Sequence, residues 1–150
     1  MKLSDPVSMV GHLEIVVKDA AGKVKDLRSI PNLVVDVGKA VIADRMKGTP
    51  TKAAMTHMAV GTSGTSPAAG DTTLGAEVGS SRTSLTSTSV SGAVITYVCS
   101  FGSGVGTGAL VEAGLFNASS AGDMLCRTTY SVVNKGSTDS MTITWTVTVS

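Results

Sequence analysis

The sequence predicts a mainly β protein, an antiparallel β-sandwich of about eight strands with one helix near residues 34–47. Three observations carry that expectation. The first is strict alternation, in which Met141, Ile143, Trp145, Val147 and Val149 are interleaved with Thr142, Thr144, Thr146 and Thr148. Successive strand residues point to opposite faces, so this segment has one oily face and one hydroxyl face, as on a sheet with one side on a core. The second is turn chemistry at short intervals between apolar runs, the mark of a sandwich, jelly roll or barrel. The third is composition: 42% hydrophobic residues with 15% charged, a balance unlike that of a disordered chain. A length of 150 residues suits one domain with a core of its own.

Taken in order, residues 1–8 carry Pro6 and no strong period, and read as an extended arm ahead of a single domain over residues 9–150. Leu13, Ile15 and Val17 then alternate along a strand, and Asp19, Ala20, Ala21 and Gly22 turn it back into a more polar partner over 23–28. This hairpin concentrates basic charge, which guards an edge strand against stray pairing. Val34, Val37, Val41, Ile42 and Met46 recur at helical spacing, with Asn32 or Asp36 as the cap and Gly48 and Pro50 as the stop. Residues 55–60 form a short strand. Residues 61–71, full of Gly, Ser and Thr around Pro67, form a long surface loop whose composition predicts mobility. Strands follow over 82–89, 94–101, 109–117 and 124–133 before the last one, with no internal repeat.

Charge is nearly balanced at +1, which argues against nucleic acid or an anionic membrane as the main partner. It is unevenly spread, however. Residues 1–52 hold nine Lys/Arg against six Asp/Glu, and residues 53–150 hold three against five. The second part is rich in small and hydroxyl residues, a surface that can dock on protein at little desolvation cost; an ordinary solvated face is the alternative. No apolar stretch of signal-peptide or membrane-spanning length occurs, so the expected origin is cytoplasmic. Cys99 and Cys126 are too few for a structural zinc site; they read as buried thiols, or as a disulfide if their strands are neighbours.

The residues that invite chemistry have plainer readings. Gly102, Gly104, Gly106 and Gly108 have the wrong spacing for a dinucleotide fingerprint and lead into a strand, so they read as a flexible connection. His12 and His57 have no ligand-type residue at metal spacing nearby. Serines are scattered without a nucleophile elbow, and no carboxylate pair stands out for acid–base work. The expectation is therefore no enzyme, no cofactor and no metal. Glu112 interrupts an apolar strand, and a hairpin about residues 118–123 sets Arg127 diagonally near it. Such an ion pair, if exposed, is worth about 0–1 kcal/mol. Trp145 is expected in the core.

Several segments, in order, resemble a family of small tailed-bacteriophage and prophage virion proteins. They are Asn32-Leu33-Val34, Met55-Thr56-His57-Met58-Ala59-Val60-Gly61-Thr62, and Pro67-Ala68-Ala69-Gly70-Asp71-Thr72-Thr73-Leu74-Gly75. Further on come Glu112-Ala113-Gly114-Leu115-Phe116-Asn117, Met124-Leu125-Cys126-Arg127-Thr128 and Lys135-Gly136-Ser137-Thr138-Asp139. Proteins of this family are described as capsid decoration (cement) proteins or as tail-fibre proteins. The resemblance implies a virion component and leaves its place in the particle open. One compact domain with a short arm, without a fibre's shaft, turns the expectation to the outer capsid surface, where similar cement proteins look like jelly-roll domains, with assembly in the host cytoplasm. That placement implies binding to the major capsid protein, as a homodimer or homotrimer, with a tail component as the alternative. On that reading the first candidates for partner contact are Met1, Lys2, Leu3 and Asp5 of the arm, with Lys18, Lys23, Lys25 and Arg28 of the basic hairpin, and the loop over residues 61–71 is the second. A carbohydrate-binding module fits less well, because only Trp145, Tyr97 and Tyr130 could furnish a sugar platform.

Overall fold

The computed structural model describes residue 4 and residues 6–150. Among the described residues nine strands and one helix follow one another: β1 (Met9–Lys18), β2 (Val24–Val34), α1 (Asp36–Arg45), β3 (His57–Gly61), β4 (Thr83–Ser84), β5 (Ser87–Ser91), β6 (Val94–Phe101), β7 (Gly108–Phe116), β8 (Met124–Lys135) and β9 (Ser140–Val149). All strand pairs are antiparallel. They join into one sheet in the order β4-β3-β7-β8-β2-β1-β9-β6-β5, curled into a half-barrel.

The alternation read from the last strand explains the centre of this sheet. β9 lies between β1 and β6, with Trp145 opposite Leu13 on one side and Tyr97 on the other. All three are buried, as are Ile15, Val17, Cys99, Phe101, Ile143 and Val147 on the same face. The opposite face carries the threonines. Met58, Val60, Leu110, Ala113, Leu115, Cys126 and Val133 line the other part of the curl and close the core from β3, β7 and β8.

Two segments produce the curl. β2 pairs with β1 from Val24 to Asn32, then passes to β8 at Leu33 and Val34. At the far end, Thr83 and Ser84 pair with β3 while Ser87 to Ser91 pair with β6. The sheet edges thus lean on one continuous stretch of chain, and the Cys99 thiol points at the carbonyls of Thr83 and Ser84, 3.7 and 3.6 Å away. The sandwich expectation is met in its coarser part, an all-antiparallel β fold, but hydrogen bonding runs unbroken through the strands as a single sheet.

Three expected elements need correction. Residues 82–89 are not one strand: the chain steps across at Leu85 and Thr86, whose amides bond to Thr56 and Val98 on opposite sides of the gap, giving nine strands where about eight were expected. The second strand continues to Val34, so Asn32 belongs to the sheet and accepts the Trp145 indole N–H at 2.9 Å. The helix consequently starts at Asp36, with Val35 at its N-cap and no side-chain cap bond, and ends at Arg45. It buries Gly38 and Val41 against β8.

A second, smaller apolar cluster sits on the outer side of β3, β7 and β8: Val35, Ala59, Leu74, Phe116 and Met124. The chain between β3 and β4 covers it, and the Arg82 guanidinium stacks 3.6 Å from the Phe116 ring while pairing with Glu77.

Candidate functional site

The densest polar constellation lies under that covering chain. Glu112 and Arg127 occupy adjacent strands, offset diagonally because Glu112 faces Thr129 and Arg127 faces Gly114. The hairpin geometry is that expected from the turn, but the setting is different. Glu112 is 0% and Arg127 2% exposed, so the exposed, marginal pair considered from sequence is a buried one. Arg127 Nε and Nη2 donate to Glu112 Oε2 at 3.0 and 2.9 Å, Nη1 donates to Asp71 at 2.8 Å, and Nη2 also donates to the Thr65 carbonyl. Glu112 further accepts the backbone N–H groups of Ser63, Gly75 and Ala76. The loop read as mobile is thus strapped to the sheet by one carboxylate and one guanidinium. Gly61 and Gly75 belong to the same device: a Cβ on Gly61 would lie 2.4 Å from Glu112 Oε1, and one on Gly75 2.5 Å from Ser63 Oγ. Backbone donation from Ala68, assisted by Arg127, holds the Asp71 carboxyl below its ordinary range.

The basic hairpin is partly committed to the fold. Where β2 leaves β8, side chains bridge the seam. Arg28 pairs with Asp26 and donates to the carbonyls of Ser131 and Val132, Lys25 pairs with Asp139, and Thr128 Oγ1 donates to the Pro31 carbonyl. Lys18 and Lys23 make no ion pair among the described residues, and both are exposed at the hairpin end. Met1, Lys2, Leu3 and Asp5 lie outside the described residues.

A broad open face is formed by the outer side of β2, β1, β9, β6 and β5. One row crosses it as Pro31, His12, Thr146, Thr96 and Ser89, and the next as Ser29, Glu14, Thr144, Val98 and Ser87. Hydroxyls and β-branched residues dominate, with exposed Val10 and Leu27 toward its ends. A separate groove of about 390 Å³ opens between α1 and the β5–β6 hairpin, lined by Val41, Ile42, Met46, Met55, Val90 and Tyr97.

The remaining chemistry-bearing residues are tied into the framework. His12 shares a 2.7 Å hydrogen bond with Ser29, and His57 lies between Thr56 and Ser84 hydroxyls. Among the described residues no group of three His, Cys, Asp or Glu side chains converges on a metal-sized site. Cys99 and Cys126 are free and buried; burial pushes the Cys99 thiol up to about 12 and the Cys126 thiol well above its ordinary value. Sequence reading missed Lys135, which is 1% exposed and donates to the Gly102 carbonyl at the start of the glycine-rich connection. Burial lowers its pKa, against the opposing field of Asp139. The strand pattern does flag it weakly, since Val133 and Lys135 share parity along β8.

Comparison of this chain with protein-family models, with curated proteins and with solved structures gives no match.

Proposed function

We propose that the protein is a component of a tailed-bacteriophage virion: a capsid decoration (cement) protein that binds the major capsid protein and stabilises the shell from outside. The observation that carries the reading is the five-strand open face. It is broad, hydroxyl-rich and nearly free of charge, and it stands on a frame whose buried charges, Glu112, Arg127, Lys135 and Asp139, are all engaged internally. A face of this kind desolvates cheaply against another protein. The ordered segments that resemble phage virion proteins point the same way. Each copy needs only a standard-sized contact, because many copies act on one shell. Lys18 and Lys23, unlike Lys25 and Arg28, make no ion pair among the described residues and are the hairpin's candidates to meet a partner; Ser8, at the end of the expected arm, is instead paired with Ser150.

A jelly-roll sandwich is the finer fold reading that goes with this function. Its support is the two places where a strand serves two neighbours, β2 between β1 and β8, and residues 83–91 between β3 and β6. Such shared strands make the corners at which one layer turns into the other.

Copy number tests the function. In purified virions that contain the protein, its band should approach the major capsid protein in molar amount. A band scarcer by an order of magnitude or more overturns the capsid assignment and moves the protein to the tail.

A further inference from the structure

β5 is an edge strand without the defences such strands ordinarily carry. Its residues, Ser87, Thr88, Ser89, Val90 and Ser91, pair with β6 on one side, and all five are exposed. Edge strands invite pairing unless charge, proline, a bulge or a covering element blocks it. The partly open stretch of β2 has such blocks in Lys25, Asp26, Arg28 and Pro31. Among the described residues β5 has none of them, and its register with β6 runs without a shift into a tight two-residue turn, where Gly92 adopts φ +56°.

The groove beside α1 lies against the same strand. Thr88 and Val90 alternate toward it, and at its rim Val90 is 69% and Met46 83% exposed. An unguarded ladder and an apolar groove are therefore continuous, and one partner strand would cover both. We infer that the occupant is a second copy of this chain, pairing β5 to β5 antiparallel about a two-fold axis. Two features favour a copy of the same chain over a foreign strand. An isologous contact sets the residue on the axis opposite its own image, where a charge would repel itself, and residues 87–93 carry no charge. An axis centred on Ser89 also sets Val90 opposite Thr88 of the second copy, a β-branched pair that fits a pleated surface.

Size sets the expected strength. Five residues span only about 17 Å of ladder, well short of the roughly 800 Å² per partner of a stable complex, so the apolar rim must supply much of the contact. The dimer is accordingly a weak one. A homodimer is one of the states that the virion resemblance implies; the β5–β5 surface goes beyond that reading and, being argued from the edge strand alone, does not rest on it.

Sedimentation equilibrium of the full chain from about 1 μM to about 500 μM tests it. The weight-average mass should climb from the 15.1 kDa of one chain toward twice that value. Val90→Lys should hold it at one chain, and so should Ser89→Lys, which changes the outer face and leaves the groove untouched. Both positions are exposed, so melting curves should match wild type and show that the variants fold. Val132→Lys, at an exposed apolar site on β8, should dimerise as wild type does. A wild-type mass fixed at one chain overturns the inference. So does a dimer or trimer indifferent to both β5 substitutions, or one abolished equally by Val132→Lys.

Discussion

A guanidinium has five N–H donors and no acceptor, so it can be buried only where the surroundings accept those protons. Arg127 finds such a place because Glu112, Asp71 and the Thr65 carbonyl surround it, and Glu112 is itself saturated by three backbone amides. Arg127→Met leaves that carboxylate buried without its cation and should cost about 3–5 kcal/mol in urea unfolding, with amide exchange rising first over residues 62–77. Many buried ion pairs can be replaced together by apolar residues at little cost. Here the paired replacement Glu112→Leu with Arg127→Met should stay destabilised, because Ser63, Gly75 and Ala76 would lose their acceptor. Unfolding of the double variant at the wild-type urea midpoint would refute the strap. Trp145→Ala removes a fully buried side chain and the donor to Asn32, and should likewise cost about 3–5 kcal/mol. Part of this was legible. The turn after Asn117 sets the hairpin that joins Glu112 to Arg127, and two-residue periodicity places Trp145 inside. Asp71 was not legible, since its approach to Arg127 depends on the path of a long loop that carries no period.

At the scale of elements, α1 shows how packing overrides propensity. Glycine in a helix interior costs up to about 1 kcal/mol relative to alanine, so Gly38→Ala should strengthen an isolated helix. In the protein a Cβ at that position would stand 2.2 Å from the Leu125 carbonyl oxygen, a backbone atom of β8 that cannot swing away. The substitution should therefore lower stability by about 1–2 kcal/mol through overpacking, read as a lower melting temperature. A rise would show that the helix can lift off the sheet freely. The same contest explains which elements the sequence announces. β1, β6 and β9 bury one face and leave the other open, so their alternation is clean. Asn32 has the chemistry of a helix cap, yet the seam draws it into β2 beneath Trp145. The step at Leu85 and Thr86 is set by two distant strands, Thr56 on one side and Val98 on the other, and leaves no local signature.

For the molecule as a whole, the titrating groups define a stability plateau. Asp26, Asp71 and Asp139 are held below the usual carboxylate value of 3.8, chiefly by Arg28, by the Ala68 N–H and by Lys25 respectively. A carboxyl whose pKa is lower in the folded state contributes stability above the unfolded value and loses it as pH falls through the folded one. Tyr97 and Cys99 run the other way. Burial raises both to about 12, from 10.0 and 9.0, so their contribution is complete below the unfolded value and disappears as pH climbs toward the folded one. Urea midpoints should therefore be level between about pH 5 and pH 8 and decline on both sides. An undiminished midpoint at pH 3 would contradict the ion pairs assigned to these aspartates. The two thiols should resist an aromatic disulfide reagent at pH 8 in the native protein and react fully in denaturant.

The pairing of β1 with β9 joins Met9 to Val149, and it lies near the middle of the sheet. Almost the whole chain must be looped out before these partners meet, and the entropy of closing that loop is lost before any contact repays it. During synthesis β1 has its hairpin mate β2 but no central neighbour until residues 140–149 have left the ribosome. The central pairing should thus form late and slowly, in milliseconds to seconds once residues 140–149 are available, with the oily side of β1 exposed to chaperones in the interval.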